Sequence, residues 1–305
     1  MNTGKRTKIV NIIGGLGNQM FQYAFALSLK ERCADDLVFI DTSHFHYVYL
    51  KKLGPINMHN GYEVEKVFPN VSLNHANWKQ LIKVSWYCPN FILSRIVRKY
   101  MPARRGEFLQ PVSQYFEYHP EVYDIKEDTY FDGQWSSIRY YEPIKAQLQK
   151  AFAHPEPDEI NRMYIKNMEG SESVGIHIRR GDYLQDPDFR GICELDYYKR
   201  GIAEIEKDGL KHTFYIFSND MKWCQENICP LLNKHEVVMV KENVGGKSCW
   251  DMHLMTHCKD LIIANSSFSW WAAFLNNREG RIIAPSKWVN RKANYDIWAD
   301  EWIKL

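Results

Sequence analysis

No run of this 305-residue chain is apolar for long enough to span a bilayer, so a helical membrane protein is not expected. The opening residues, MNTGKRTKIVNIIGG, pass from a few basic side chains straight into a strand pattern. They lack the apolar h-region and small-residue cleavage site of a secretory leader, which predicts function in the cytoplasm. Cysteine lacks pattern: seven residues, an odd number, irregularly spaced and without a CxxC pair, suit reduced thiols better than a disulfide framework. No HExxH zinc signature exists. His253 and His257 stand one helical turn apart, but Leu254 takes the place of the required Glu, so a half-buried helix opened by a Ser248/Asp251 capping box is expected instead. Neither sign of charge dominates. With 39 Lys and Arg against 37 Asp and Glu, a net charge of +2 argues against a general nucleic-acid binder. The rest of the composition, 45% hydrophobic and 25% charged, is that of a globular protein long enough for two domains.

What is present begins with SVGIHIRRGDY at 173–183. In an extended strand Val174, Ile176 and Ile178 share one face, while Gly175, His177 and Arg179 share the other. Two guanidiniums at a strand end, Arg179 and Arg180, offer planar donor forks that match phosphate oxygens and stay charged at any working pH. A solvated arginine pair on a surface strand is the plain alternative. The segment LIIANSSFSWWAAFL at 261–275 reads as strand, polar turn and helix, with Ser266 or Ser267 at the helix start. Free amides and hydroxyls there make a phosphate cradle, although serine also caps helices for purely structural reasons. Together the two segments predict a diphosphate held without a metal. A third strand, HTFYIFSND at 212–220, places Ser218, Asn219 and Asp220 at a carboxyl end of the sheet. A carboxylate there can accept from the N1 and N2 donors of guanine, or it can cap the following helix.

The opening turn, IIGGLGNQMFQYA, supports a rival reading. Gly15 and Gly17 resemble the start of a dinucleotide fingerprint, and Asp41 ends the next strand near the place of a ribose-binding acid. This is the case for an NAD-dependent oxidoreductase. Met20 counts against it, because it occupies the third glycine position. Asn18 and Gln19 are better suited to bonding sugar hydroxyls or a phosphate oxygen, with helix capping by Asn18 as the alternative.

In the second half, strand patterns at 173–179, 213–217, 236–240, 260–264 and 281–284 alternate with helix patterns at about 196–208, 220–232, 248–258 and 268–276. That rhythm predicts a parallel sheet with helices on both faces. The first half opens likewise, with the strand KIVNIIGG, the helix NQMFQYAFALSLKERC and the strand DLVFID; a strand at Thr129–Asp132 and a helix at Glu142–Phe152 follow. Aromatics and Pro55, Pro69, Pro89, Pro102 and Pro111 obscure 45–128. The cluster AHPEPDE marks a boundary between domains at 1–155 and 156–305.

Four segments in this order and spacing, GGLGNQMFQYAFA, HIRRGDY, FSND and ANSSFSWWAAFL, resemble the glycosyltransferase family 11 α-1,2-fucosyltransferases of bacteria. More distantly they resemble α-1,6- and protein O-fucosyltransferases. The resemblance spans residues 9 to about 288. It implies an α/β fold of GT-B type, two Rossmann-like domains whose parallel sheets face across a cleft. It also implies GDP-fucose as donor, inversion at the anomeric carbon and no required metal or other cofactor. The implied acceptor is the 2-hydroxyl of a terminal galactose in an oligosaccharide or a lipid-linked glycan, as in O-antigen or capsule synthesis. The C-terminal domain would hold GDP-fucose and the N-terminal domain the acceptor. Carried onto this chain, Arg179 and Arg180 hold the diphosphate with Ser266, Ser267 and Phe268. His177 and Asp220, with Ser218 and Asn219, lie near the guanosine, while Asn18 and Gln19, in the turn of Gly15 and Gly17, lie near the fucose. The chain departs from the frequent FSDD pattern at Asn219, which puts the guanine-reading residue in question.

Transfer loosens the bond to GDP, and the charge growing on the leaving phosphate needs the arginines and a helix N-terminus. Asp182 is the first choice for the base that takes the acceptor proton, with Asp186 or Asp188 as fallback; Asp182 could equally orient Arg179 or Arg180. The only DxD, Asp186-Pro187-Asp188, is split by proline and makes a poor metal motif. Ten Trp and 18 Tyr supply flat surfaces for sugar rings. The stretch at 79–106, carrying Arg95, Arg98, Lys99, Arg104 and Arg105, is either a solvated basic face or a peripheral contact with an anionic membrane. A non-catalytic glycan-binding protein is the third function class.

Overall fold

The computed structural model describes residues 5–45, 60–86, 97, 100, 101, 104 and 106–305. The chain divides into two compact units: Met1–Ala153 with Ala293–Ile297, and His154–Lys292 with Trp298–Leu305. The Pro- and acid-rich AHPEPDE segment spans the passage from one unit to the other. The return of 293–297 to the first unit is not signalled by any sequence pattern.

In the first unit β1 (Thr7–Asn11), β2 (Leu37–Asp41), β3 (Asn74–His75), β4 (Glu107–Leu109) and β5 (Thr129–Asp132) form a sheet of order β3-β2-β1-β5-β4, every pairing parallel. The Leu16–Arg32 helix covers it and buries residues around most of its circumference, Met20, Phe21, Tyr23 and Phe25 among them. Phe25 stacks on Trp135 with centroids 4.0 Å apart. β3 and β4, only two and three residues long, are too short for a legible period of alternation.

In the second unit β6 (Ser173–Ile178), β7 (Thr213–Ser218), β8 (Glu236–Met239), β9 (Asp260–Ile262), β10 (Ile282–Ala284) and β11 (Ile303–Lys304) form a sheet of order β11-β10-β9-β6-β7-β8, again wholly parallel. Val174, Ile176 and Ile178, the apolar face of β6, pack with Tyr197, Tyr198 and Ile202 of the Leu195–Ile205 helix. The predicted helix at 220–232 is in fact Met221–Asn227 followed by a 3-10 turn at Cys229–Leu232, because Pro230 cannot donate to a continuing helix.

The capping box expected at Ser248/Asp251 does not form. A 3-10 turn at Gly245–Lys247 leads into Ser248, which is already helical at φ −57° and ψ −21°, and the Asp251 carboxylate accepts from Asn243 at 3.0 Å instead. A capping box does close the Trp78–Val84 helix, between Asn77 and Gln80. The Glu159–Glu169 helix, capped by Asp158 through the Asn161 amide, adds an element beyond the expected alternation.

Candidate functional site

In an open parallel sheet, ligands bind beyond the carboxyl ends of the strands where strand order reverses. In the second unit the chain runs outward through β6, β7 and β8, then returns to the other side of β6 with β9. The reversal point lies between β6 and β9. The Arg179-Arg180 pair follows β6 and the Asn265–Phe268 knot follows β9, so the fold brings those two motifs to one edge. Ser218–Asp220 follows β7, the next strand over, whose Ser218 is paired with Ile178.

Arg179 and Arg180 part company at that edge. Nη2 of Arg179 donates to the Asp182 carboxylate at 2.9 Å, and its guanidinium lies over the Tyr183 ring at 5.5 Å. Tyr183 stacks on Phe189, and its hydroxyl reaches the Asn265 carbonyl at 3.4 Å, so Arg179 stands on the β9 side. Burial pushes the Tyr183 hydroxyl up to about 12 against the opposing pull of the Arg179 charge, so at working pH it remains a neutral donor. Arg180 turns the other way. It lies 4.1 Å over the Trp223 ring, pairs through Nε with Asp220 at 3.3 Å and through Nη1 with Glu194 at 3.9 Å. With that guanidinium committed to two acids and an indole, Arg179 is the arginine placed at the β6/β9 reversal. Sequence spacing alone could not separate them.

The Ser267–Leu275 helix supplies the facing wall. Trp270, Trp271 and Phe274 are fully or almost fully buried and root it in the core. At its start Ser266 takes the extended cap geometry, yet its side chain does not cap the helix. The amides of Ser267, Phe268 and Ser269 have no acceptor among the described residues, which leaves an open, partly positive helix end. Asn265 is held beneath by a bond to the Trp288 carbonyl. His177 lies 5.7 Å from the Phe268 ring; it is buried, and its Nδ1 has no partner. Burial, and secondarily the Arg179 charge, lowers its pKa to about 3, so the imidazole is neutral beside this edge.

The FSND segment builds the turn that carries the arginines. Oδ1 of Asn219 accepts from the Arg180 amide at 2.9 Å, Asp220 caps the following helix through the Trp223 amide, and the Ser218 hydroxyl accepts from the Asp220 amide. An amide oxygen makes the Asn219 bond as well as a carboxylate would, so the departure from FSDD leaves this turn intact. Gly181 has φ +32°, and a Cβ placed there would come within 2.4 Å of Asn219 Nδ2. Gly181→Ala is therefore expected to cost about 1–3 kcal/mol of stability. Urea unfolding of the variant checks the number.

In the first unit the GGLGNQ turn follows β1 at its own reversal point, between β1 and β5. Gly14 adopts φ +83°, which L side chains avoid, and a Cβ there would crowd Asn18. Gly15 is the helix cap and Gly17 lies in the first turn, so Asn18 does not cap; its side-chain amide is unbonded among the described residues. Gln19 is buried and fully engaged. Its Nε2 donates to the Gly14 and Gly61 carbonyls, and its Oε1 accepts from the Glu63 amide, each at 2.8 Å. The Asn18 side chain is thus open to a ligand, whereas the Gln19 side chain is already bonded to three backbone groups. Asp41 is buried, accepting from the Tyr130 hydroxyl and the Ser43 amide, so no ribose can reach it as the NAD reading requires.

Asp182 accepts from Arg179 and its carboxylate is half exposed, an arrangement that serves either orienting Arg179 or taking a proton. Asp188 pairs with Arg291 while Asp186 accepts from the Asp188 amide, so the DxD segment is an anchored loop, which counts against both fallback bases. Among the described residues one compact group of acid and histidine side chains, Asp208, His212 and Asp260, has metal-ligand spacing. It is filled by the Arg281 guanidinium, which bonds both carboxylates, and Asp260 opens β9 at the edge opposite the arginine turn.

Two parallel-sheet α/β units, one with an arginine and an open helix end at its switch point, are the architecture of an α/β protein that binds an anionic ligand at a strand-end crevice. Residues 103–305 match glycosyl transferase family 11, and the chain belongs to that family of sugar-transferring enzymes. It is 30% identical to an α-1,2-colitosyltransferase of Escherichia coli across 97% of this chain and 98% of that one. It is 31% identical to the O-antigen biosynthesis glycosyltransferase WbnK of the same organism, across 96% and 98%. Rat galactoside α-(1,2)-fucosyltransferase 2 is 27% identical over 87% of this chain and 66% of its own. In architecture the chain is similar to the fucosyltransferase NodZ from Bradyrhizobium, with a TM-score of 0.51 and 17% identity over 89% of this chain and 92% of that one.

Proposed function

We propose that this glycosyltransferase moves L-fucose from GDP-β-L-fucose to the 2-hydroxyl of a terminal galactose, with inversion and without a metal, in the synthesis of a bacterial surface glycan such as an O-antigen. The observation that carries the reading is the juxtaposition, across adjacent strands β6 and β9, of Arg179 and the open amides of Ser267, Phe268 and Ser269. Cation and helix end together suit a diphosphate. Similarity to an α-1,2-colitosyltransferase and to a galactoside α-(1,2)-fucosyltransferase supports the linkage.

In the proposed reaction the acceptor hydroxyl oxygen bonds to the anomeric carbon, its proton passing to the Asp182 carboxylate and on to solvent, as the bond from that carbon to the β-phosphate oxygen breaks. The electron pair leaves on the phosphate, where Arg179 and the helix amides stabilise it. Asp182 aims Arg179. Arg180, Asn219 and Asp220 hold the turn, His177 and Phe268 border the nucleotide, and Asn18 meets the sugar. The second unit binds the nucleotide sugar and the first unit the acceptor. Free thiols at Cys33, Cys193, Cys224, Cys229, Cys249 and Cys258 suit work in the reducing cytoplasm, and no helix among the described residues is long and apolar enough to cross a membrane.

The similarity to a colitosyltransferase favours one second reading of the donor. Colitose is fucose without its 3-hydroxyl, and GDP-colitose presents the same diphosphate to the same cradle. Ligand-induced melting separates the function classes. GDP at about a hundred times its Kd is expected to stabilise the protein by about 2.7 kcal/mol, while NAD leaves the melting temperature unchanged. A shift with NAD, or with oligosaccharide alone, contradicts the reading.

A further inference from the structure

The Trp78–Val84 helix turns one face to the core, where Leu81 and Val84 are buried against Ile9 and Tyr130. Its other face is unlike an ordinary solvated surface. Trp78 and Ile82, one turn apart, are 59% and 48% exposed, and the Lys79 ammonium lies 5.6 Å over the Trp78 ring. Lys83 is exposed too and pairs with Asp128. Farther along, Tyr100 and Met101 are exposed, and Arg104 docks on the end of this helix by donating to the Ile82 and Ser85 carbonyls at 2.7 and 3.1 Å.

The charge is equally uneven. Residues 79–106 hold seven Lys and Arg and no Asp or Glu, in a chain whose net charge is only +2, so everything outside the stretch sums to −5. Residues 87–96, 98, 99, 102, 103 and 105 lie outside the described residues and enter only through their sequence charge.

A tryptophan and an isoleucine left in water beside lysines, within the most basic part of a nearly neutral protein, match the interfacial zone of a bilayer with anionic headgroups. We propose that this helix face seats the protein on an anionic membrane surface. Charge complementarity selects that partner. The surface goes beyond the proposed sugar transfer and does not depend on it.

The test is co-sedimentation of the full chain with vesicles of phosphatidylcholine alone and with vesicles that also carry phosphatidylglycerol. Binding is expected to the anionic vesicles, to weaken with added salt, and to be on the order of tenfold lower with neutral ones. Trp78→Ser with Ile82→Ser, and separately Lys79→Glu, should each weaken it by about tenfold. Their melting temperatures and turnover of a soluble oligosaccharide should not change, so loss of vesicle binding is distinguishable from failure of the transferase reading. No vesicle binding, equal binding to both kinds of vesicle, or undiminished binding by the Trp78/Ile82 variant overturns the proposal. So does a dimer of the parent chain that the same variant dissociates, since the face would then belong to a second copy.

Discussion

Arg179→Ala is expected to lower kcat/KM by about three orders of magnitude and to remove most of the affinity for GDP, while leaving the fold intact. The size follows from the role. A charged donor aimed at the leaving phosphate acts where charge grows in the transition state, and single donors so placed contribute about 10²–10³ in rate before charge is counted. Structurally Arg179 gives up little on removal, because its described partners are the exposed Asp182 and the Tyr183 ring. Arg179→Lys should recover part of the rate, since a point charge replaces a fork. Arg180→Ala is the informative contrast. It leaves Asp220 and Glu194 without their shared cation and bares Trp223, so it is expected to lower stability more than Arg179→Ala does and to affect turnover less. Calorimetric GDP titrations and initial rates for both variants decide the matter. If Arg179→Ala bound GDP as tightly as the parent, or if the two variants ranked in reverse, the diphosphate assignment would be wrong.

Acid should unfold this protein steeply between about pH 6.5 and pH 4. Burial, and then the neighbouring histidines, holds His154 at about 3; burial and His253's neighbour His257 hold that residue at about 4; burial and Arg179 hold His177 at about 3. In the unfolded chain all three titrate near 6.5. Below that value the unfolded state takes up three protons that the folded state refuses, and stability falls as pH falls. Asp251 works in the opposite sense. Burial raises its carboxyl to about 7, with the Asn243 bond opposing and the Glu242 charge adding, so the folded state takes its proton first. The net difference is about two protons, or roughly 3 kcal/mol per pH unit. His154 and His253 stack with centroids 4.4 Å apart, so a second charge on that pair is especially costly. Urea unfolding at half-unit steps of pH measures the slope. Asp251→Asn should steepen it, His253→Phe should flatten it, and a stability curve level from pH 6.5 to 4.5 would contradict the buried-histidine account.

The second unit was legible because each of its central strands is a short apolar run between amphipathic helices, and three of those runs end in polar residues. A parallel sheet aligns such ends on one edge, so HIRRGDY, FSND and ANSSFSWW could be grouped before their distances were known. Residues 45–128 hid their structure for a physical reason: β3 and β4 gain their identity from pairing with β2 and β5, not from their own period. Within the site, sequence found the residue types and missed their division of labour. Gln19 and Asn18 are adjacent in sequence, yet one is sunk in backbone bonds and the other is free. Arg179 and Arg180 diverge because Gly181 turns the chain at a positive φ against Asn219, a contact between residues 38 positions apart. Trp223, the platform under Arg180, carried no sequence signal beyond being aromatic.

The central claim is metal-free transfer of a deoxy sugar from GDP to galactose, and mass spectrometry of the acceptor tests it directly. Lactose and N-acetyllactosamine are incubated with the protein and GDP-fucose in the presence of EDTA. The expected result is a gain of one deoxyhexose on the acceptor, lost on mild treatment with an α-1,2-specific fucosidase and absent with Arg179→Ala. Product that appears only when a divalent cation replaces EDTA would contradict the metal-free chemistry, and unchanged acceptor with GDP-fucose intact, for protein that also fails to bind GDP, would contradict the assignment of the site.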